Sequence, residues 1–186
     1  MTAIPRAIAP DHLRAVLASS RRDTPVGRRD YAILLLLARL GLRSSEIVSL
    51  TLESIDWEAG SISVNGKAGH AAVLPLPVDV GDGVAQYLRS RALFLRATAP
   101  IRGLGAGPTV STIVRAAIVR AGIKTRSHGA HQFRHALATD MLRQGATLTE
   151  IGVILRHQNP KTTGIYAKVD FDALRPLGLR WPGGSV

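Results

Sequence analysis

Between residues 131 and 166, HQFRHALATDMLRQGATLTEIGVILRHQNPKTTGIY sets imidazole, guanidinium and phenol groups at spacings that helices can gather around one ligand. His131 and Arg134 are three apart, so one helical face presents both. A helix beginning near Ala130 and ending at Gly145 would offer them at its start, where unpaired backbone N–H groups already favour an anion. Thr147 and Glu150 have capping-box spacing and open a second helix, which is expected to turn Ile151, Ile154 and Leu155 inward before Arg156 and His157. Asn159-Pro160 is a cap followed by a good first helical residue, and the short helix it starts would carry Tyr166 on the turn above Thr162 and Thr163. A phenol gives up its proton only near pH ~10. At neutral pH it needs a proton acceptor beside it, and cations that favour charge on the atom it attacks. The stretch supplies all of these, and the chemistry they suggest is cleavage of a phosphodiester. Taken one at a time the same residues are ordinary: a histidine at a helix start, a surface arginine and histidine, a packed tyrosine.

The remainder of the chain must position this group, and its composition names the partner class. With 186 residues, 46% of them hydrophobic, the chain can bury a single core. The 24 Lys and Arg against 13 Asp and Glu leave a formal charge of +11. Nearly all of the excess is arginine, the residue that holds phosphate in bidentate geometry. These arginines are scattered among apolar elements, whereas ribosomal or membrane-surface proteins show lysine blocks or a basic amphipathic helix, so nucleic acid is the expected partner. The chain has no cysteine, which excludes a disulfide framework, a thiolate metal site and a Cys nucleophile and fits a cytoplasmic location. The longest apolar run, Ala32 to Leu40, is interrupted by Arg39 and falls short of the roughly 20 residues that cross a bilayer. No secretory signal is seen. His131 and His135, four apart, have a zinc-like spacing, but without a matching third ligand no metal is expected; His135 reads as a packing or phosphate-facing residue.

In chain order, Met1 to Ala9 is a lead-in, and Pro10-Asp11 opens a helix on which Leu13, Val16 and Leu17 repeat. Arg21, Arg22, Arg28 and Arg29 surround a loop with Pro25 and Gly27, facing either solvent or a DNA backbone. From Asp30 to its cap at Gly41 runs a helix apolar nearly all round, which belongs in the middle of the domain. Arg43 follows at the first turn of SSEIVSL, with Glu46 three residues on as an ion-pair partner. Asp56 to Gly60 is a turn. Ile62 and Val64 then alternate, Asn65-Gly66 marks a tight hairpin bearing Lys67, and Val73 to Leu76 returns. Helix is expected again at Val84 to Leu88, a third short strand at Leu93-Phe94-Leu95, a loop from Pro100 to Pro108, and a helix from Thr109 to Ala121 with Ile113, Ala117 and Ile118 inward and Arg115 and Arg120 outward.

HQFRH followed by ATDMLRQGATLTEIGVILRHQNPKTTGIYAKVD resembles the C-terminal signature of the tyrosine recombinases, or phage integrase family, and LGLRSSEIVSLTLESIDW resembles that family's first arginine box. GKAG followed by LPLP matches the surroundings of its hairpin lysine. The likeness spans almost the whole chain. It implies an α+β, mainly α-helical catalytic domain with a small three-stranded antiparallel sheet at one edge. It also implies a site: Arg43 and Arg134 on the two non-bridging oxygens of one phosphate, Glu46 supporting Arg43, and His157 donating to a phosphoryl oxygen. His131 would be general base or position Tyr166, Lys67 would protonate the leaving 5′ oxygen, and Tyr166 would be the nucleophile. Arg28, Arg29, Lys124, Arg126, His128 and Lys161 would touch DNA.

The implied reaction is site-specific recombination of double-stranded DNA through a 3′-phosphotyrosyl link, with no metal or other cofactor, by a homotetramer assembled on DNA. On this reading residues 1–9 are linker-like, 10–170 form the catalytic domain, and the apolar tail 171–186, with Phe171, Leu174, Leu177, Leu179 and Trp181, packs back or exchanges between protomers. Two departures stand out. Gly69, His70 and Ala71 follow the hairpin turn where the family often has further basic residues. The N-terminal core-binding domain of the family is expected to be absent, which calls for a separate core-binding partner. Two other readings stay open: a weakly active or inactive DNA-binding remnant, and a type IB topoisomerase-like relaxase using the same residues.

Overall fold

The structure, a computed structural model, describes residues 7–65, 71–88, 104, 108–125, 127–157 and 159–166. Helix α1, Pro10–Ala18, is followed by α2, Pro25–Leu40, the element on which the others pack. Ile33 to Leu37 on α2 are at most 1% exposed, as an all-round apolar sequence requires. The helix begins earlier than the expected start at Asp30. Thr24 accepts a hydrogen bond from the backbone of Gly27 and Pro25 takes the first helical position, so the supposed loop residues are a cap and a first turn.

A short helix α3, Ser44–Val48, leads through a 3-10 turn at Leu52–Ser54 into β1, Ile55–Asp56. Strands β2, Ser61–Asn65, and β3, Ala71–Pro75, complete an antiparallel sheet in the order β1-β2-β3. Its third strand therefore precedes the hairpin; the expected strand at Leu93-Phe94-Leu95 lies outside the described residues. Ile62 pairs with Leu74, Val64 with Ala72 and Asn65 with Ala71. Burial of Ile62 and Val64 sets that register, because a slip of one residue would turn both to solvent. Residues 66–70, with Lys67 and His70, lie outside the described residues. Asn65 belongs to β2 and pairs with Ala71, so it is a strand residue and not part of the turn expected at Asn65-Gly66.

Helices α4, Val78–Leu88, α5, Pro108–Arg120, α6, His131–Arg143, and α7, Leu148–Ile154, follow, and α8, Pro160–Thr163, is a single turn. On α5, Ile113, Ala117 and Ile118 are buried and Arg115 and Arg120 exposed, as expected. The capping box at the start of α7 is formed: Thr147 Oγ1 accepts from the Glu150 backbone while Glu150 accepts from the Thr147 backbone at 2.7 Å. Ile154 departs from expectation at 40% exposed. Ile151 and Leu155, one full turn apart, take the inward face, which leaves no room there for Ile154. The main core surrounds α2. A smaller one joins α6 and α7 through Ala138, Ile151, Leu155 and Tyr166.

Candidate active site

The C-terminus of α2 anchors the site. Gly41 has φ 56°, and a Cβ on it would stand 2.8 Å from Leu155 Cδ2 and 3.0 Å from Leu137 Cδ2. Only glycine lets α2 end this close to α6 and α7. Its carbonyl then accepts from Arg134 Nη1 at 2.6 Å and from Arg156 Nη2 at 3.4 Å. The negative end of a helix dipole thus faces two cations.

Glu46, 1% exposed, is their buried counter-charge. It accepts from Arg43 Nη1 at 2.6 Å, from the Arg43 backbone at 2.8 Å and from Arg156 Nη2 at 2.8 Å. Arg43 Nη2 donates in turn to the carbonyl of Arg156 at 3.1 Å. Burial pushes the Glu46 carboxyl up, but the bonds from Arg156 and Arg43 outweigh it and hold the group below the usual carboxylate range. Glu46 therefore ties the first arginine box to the end of α7.

Arg156 is the residue that sequence reasoning missed. It follows Leu155, the last residue of the α7 turn, and has φ 52°, a left-handed conformation that ordinarily belongs to glycine at this place after a helix. The absence of a glycine there was the available signal. The strained backbone is retained because the guanidinium bridges Glu46 and Gly41 while the carbonyl receives Arg43. Arg156→Gly and Arg156→Ala both remove the guanidinium, so their difference isolates the strain. The glycine variant should be the more stable by about 1 kcal/mol in chemical denaturation, with both below the parent.

Arg134 is 8% exposed, and its Nη2 is buried with no hydrogen-bond partner among the described residues. Burial, then the charges of Arg43 and Arg156, lower its pKa to about 9, so it remains a cation at neutral pH. It lines a cavity of about 170 Å³ with Arg43, Ser44, Ser111 and His131. His131 is exposed at the first residue of α6. Its ring fills the space beside Gly129, where a Cβ would come within 2.5 Å of it.

The phenol of Tyr166 is 1% exposed, packed in the smaller core with Ala138, Ile151 and Leu155. Its hydroxyl is 2.8 Å from His135 Nδ1. The His157 ring stacks parallel to the phenol, with centroids 6.3 Å apart, and His157 Nδ1 is 2.8 Å from Thr163 Oγ1. Burial raises the phenol's pKa, partly offset by Arg134. Burial, followed by the nearby arginines Arg134 and Arg43, lowers His157 to about 4, and burial with His131 and Arg134 does the same for His135. Both imidazoles are neutral at pH 7. An unfolded imidazole binds a proton below about pH 6.5, whereas these resist until about pH 4, so the unfolded state takes up more protons in between. Through these two groups stability should change little from neutral pH down to about 6.5 and fall steadily from there to pH 4. Melting temperatures across that window check this, and a His135→Asn, His157→Asn double variant should flatten the slope.

The structure therefore brings Arg43, His131 and Arg134 to one cavity, while His157 lines a separate groove of about 430 Å³ with Arg156 and Thr163 and stacks on Tyr166; Arg134 is close enough to influence both His157 and Tyr166. Lys67 and Arg126 lie outside the described residues. Among the expected DNA contacts, Lys124 is exposed and His128 half-buried; nothing is described of the Lys161 side chain. Arg28 is half-buried, its Nη1 donating to the Arg22 carbonyl at 3.2 Å. Arg29 is 8% exposed and donates to Asp30 at 2.6 Å in the first turns of α2.

Residues 6–173 match the phage integrase family. The chain belongs to the phage integrase family, the tyrosine recombinases. It is 54% identical over 190 residues to y4rA of Sinorhizobium fredii, a protein named as an integrase/recombinase, a match covering 98% of this chain and 46% of that protein. To y4gC of the same organism, similarly named, it is 40% identical over 98% of this chain and 99% of the relative. The chain thus spans about half of one such integrase relative and nearly all of another. In fold it resembles the XerH site-specific recombinase solved as a post-cleavage complex with its palindromic difH substrate, with a TM-score of 0.79 and 21% identity over 94% of this chain and 53% of XerH. The mainly helical architecture with its small antiparallel sheet is that of tyrosine recombinase catalytic domains. Among the described residues of this family member, no helix is long and apolar enough to cross a membrane.

Proposed function

We propose that this chain is the catalytic domain of a site-specific recombinase that breaks and rejoins duplex DNA through a 3′-phosphotyrosyl intermediate. The observation that carries this reading is the guanidinium of Arg134, buried, with Nη2 lacking a partner among the described residues and Arg43 beside it on the same cavity. Arg43, Arg134 and Arg156 gather around one buried carboxylate, Glu46. A phosphodiester supplies both an acceptor for Nη2 and the negative charge that the cluster lacks.

On this reading Arg43 and Arg134 hold the two non-bridging oxygens. His157 would take the tautomer in which Nδ1, 2.8 Å from Thr163 Oγ1, accepts from that hydroxyl and Nε2 carries the proton donated to a phosphoryl oxygen. His131 stands at the mouth of the cavity, as base or as a group that orders the phosphate and Tyr166. The Tyr166 oxygen attacks phosphorus, the bond to the 5′ oxygen breaks, and Lys67 protonates the leaving oxygen. A 5′-hydroxyl of another strand then attacks the link; one phosphoester replaces another at each step, so no ATP, metal or cofactor is required. The formal charge of +11 suits duplex DNA as partner, as does the DNA-bound state in which XerH was solved. A groove of about 430 Å³ between α7 and α8, lined by Leu148, Gly152 and Val153 and also by Arg156, His157 and Thr163, suits the apolar residues of the 171–186 tail of a second protomer, in keeping with assembly of several protomers on DNA. A species that remains monomeric on a sizing column with DNA bound would count against that exchange.

The test is incubation with a pool of nicked duplexes of randomised sequence, in which the short fragment beyond the cleaved bond diffuses away. A covalent adduct that passes its strand to an added 5′-hydroxyl end is expected. An adduct that yields only relaxation of supercoiled plasmid would favour the topoisomerase-like reading, and binding without any adduct would overturn the catalytic reading in favour of a DNA-binding remnant.

A further inference from the structure

The imidazole on the nucleophile is not the one that the HxxR spacing points to. His135, one turn along α6 from His131, has its Nδ1 2.8 Å from the Tyr166 hydroxyl, with ring centroids 5.6 Å apart. His131 touches His135 edge-on, centroids 5.7 Å apart, and lines the cavity occupied by Arg43 and Arg134. We propose that His135 is the general base of the cleavage step, accepting the Tyr166 proton on Nδ1, and that His131 serves the phosphate. The inference rests on the phosphotyrosyl reading and assigns a base within it.

The geometry suits the task. A base must sit within hydrogen-bond reach of the proton it removes, and His135 Nδ1 meets that condition at the resting position of Tyr166; the phenol, 1% exposed there, has to move toward the phosphate as its proton is taken. The groups facing His135 are His131 and Arg134 from its own helix, Tyr166 after α8, and His157 stacked on that phenol from the end of α7. Burial and the neighbouring His131 and Arg134 keep His135 neutral at pH 7, with a lone pair available. A phosphodiester against Arg134 offsets part of that positive field, so the imidazole becomes more basic as the substrate arrives. The step balances: the phenolic proton moves to Nδ1, the Tyr166 oxygen bonds to phosphorus, the bond from phosphorus to the 5′ oxygen breaks, and that oxygen leaves with the electron pair and takes a proton from the acid on its side. The base is neutral before the step and an imidazolium after it, poised to return the proton when the phenol leaves in the rejoining step.

The rate of adduct formation on the nicked-duplex pool tests this in four proteins: the parent, His135→Ala, His135→Asn and His131→Ala. Asparagine sets an amide where Nδ1 stood, so it keeps a hydrogen-bond partner for Tyr166 but cannot take its proton. Both His135 variants should form adduct roughly 10²–10⁴-fold more slowly than the parent while binding the duplexes equally well and melting cooperatively. Replacing Tyr166 by a fluorinated tyrosine, whose phenol ionises more readily, should restore much of the rate in the His135 variants and change the parent little. Parental rates in His135→Asn, or fluorotyrosine rescue confined to His131→Ala, would overturn the assignment and leave His135 a packing residue. No adduct from the parent would overturn the phosphotyrosyl reading itself, a result distinct from parental adduct with indifferent His135 variants.

Discussion

Tyr166→Phe should form no covalent adduct with DNA while retaining the parent's affinity for it and its fold. Tyr166 is 1% exposed and packs with Ala138, Ile151 and Leu155 in the smaller core, and phenylalanine keeps the ring that fills that space. What is lost is one hydroxyl and its bond to His135, worth about 1 kcal/mol of stability. Arg43 and Arg134, the groups proposed to hold the phosphate, are untouched by the change, so affinity for DNA should be kept. Chemically the loss is total, since phenylalanine has no atom that can bond to phosphorus. The measurement is a denaturing gel of protein incubated with labelled nicked duplex, beside a binding titration of the same variant. An adduct that persists would remove Tyr166 from the mechanism.

Glu46→Ala has the largest expected effect on stability, and it reaches the site as well. The carboxylate is 1% exposed and is shared by Arg43 and Arg156; its removal strands two guanidinium groups in a partly buried place. Breaking a buried pair by deleting one partner costs about 3–5 kcal/mol, a fall of roughly 6–20 °C in melting temperature for a chain of this size. Arg43 would also lose the tether that aims it at the cavity, so adduct formation should fall with stability. Glu46→Gln keeps the shape but not the charge and should lie between. The sign with pH follows from the depressed carboxyl pKa: the stabilisation is full above the unfolded value of about 4.3 and is lost as pH falls through the lower folded value. The gap between parent and the glutamine variant should therefore narrow in acid. A loss under about 1 kcal/mol at neutral pH would show that solvent screens the cluster.

Local rules account for the elements legible in the residues. The apolar run of α2, the glycine cap at Gly41, the Thr147–Glu150 box and the alternation of Ile62 and Val64 are each decided within a few positions, and the structure shows each of them. The same reasoning misplaced what depends on a distant neighbour. Ile154 faces out because α7 meets α6 along Ile151 and Leu155.

The residue types and their spacing determined on their own that a guanidinium, imidazole and phenol group exists, that it belongs to a polyanion-binding chain, and that helices carry it. The pairing within that group was left to tertiary structure. Arg43 meets Arg156, far along the chain, only because Gly41 lets α2 close on α7. Between His131 and His135, four residues apart on one helix, periodicity makes no choice. Burial of Phe133, Ala136 and Ala138 rotates α6 so that His131 looks toward the cavity and His135 toward the phenol, and packing of that kind is a property of the whole core, not of any local sequence pattern.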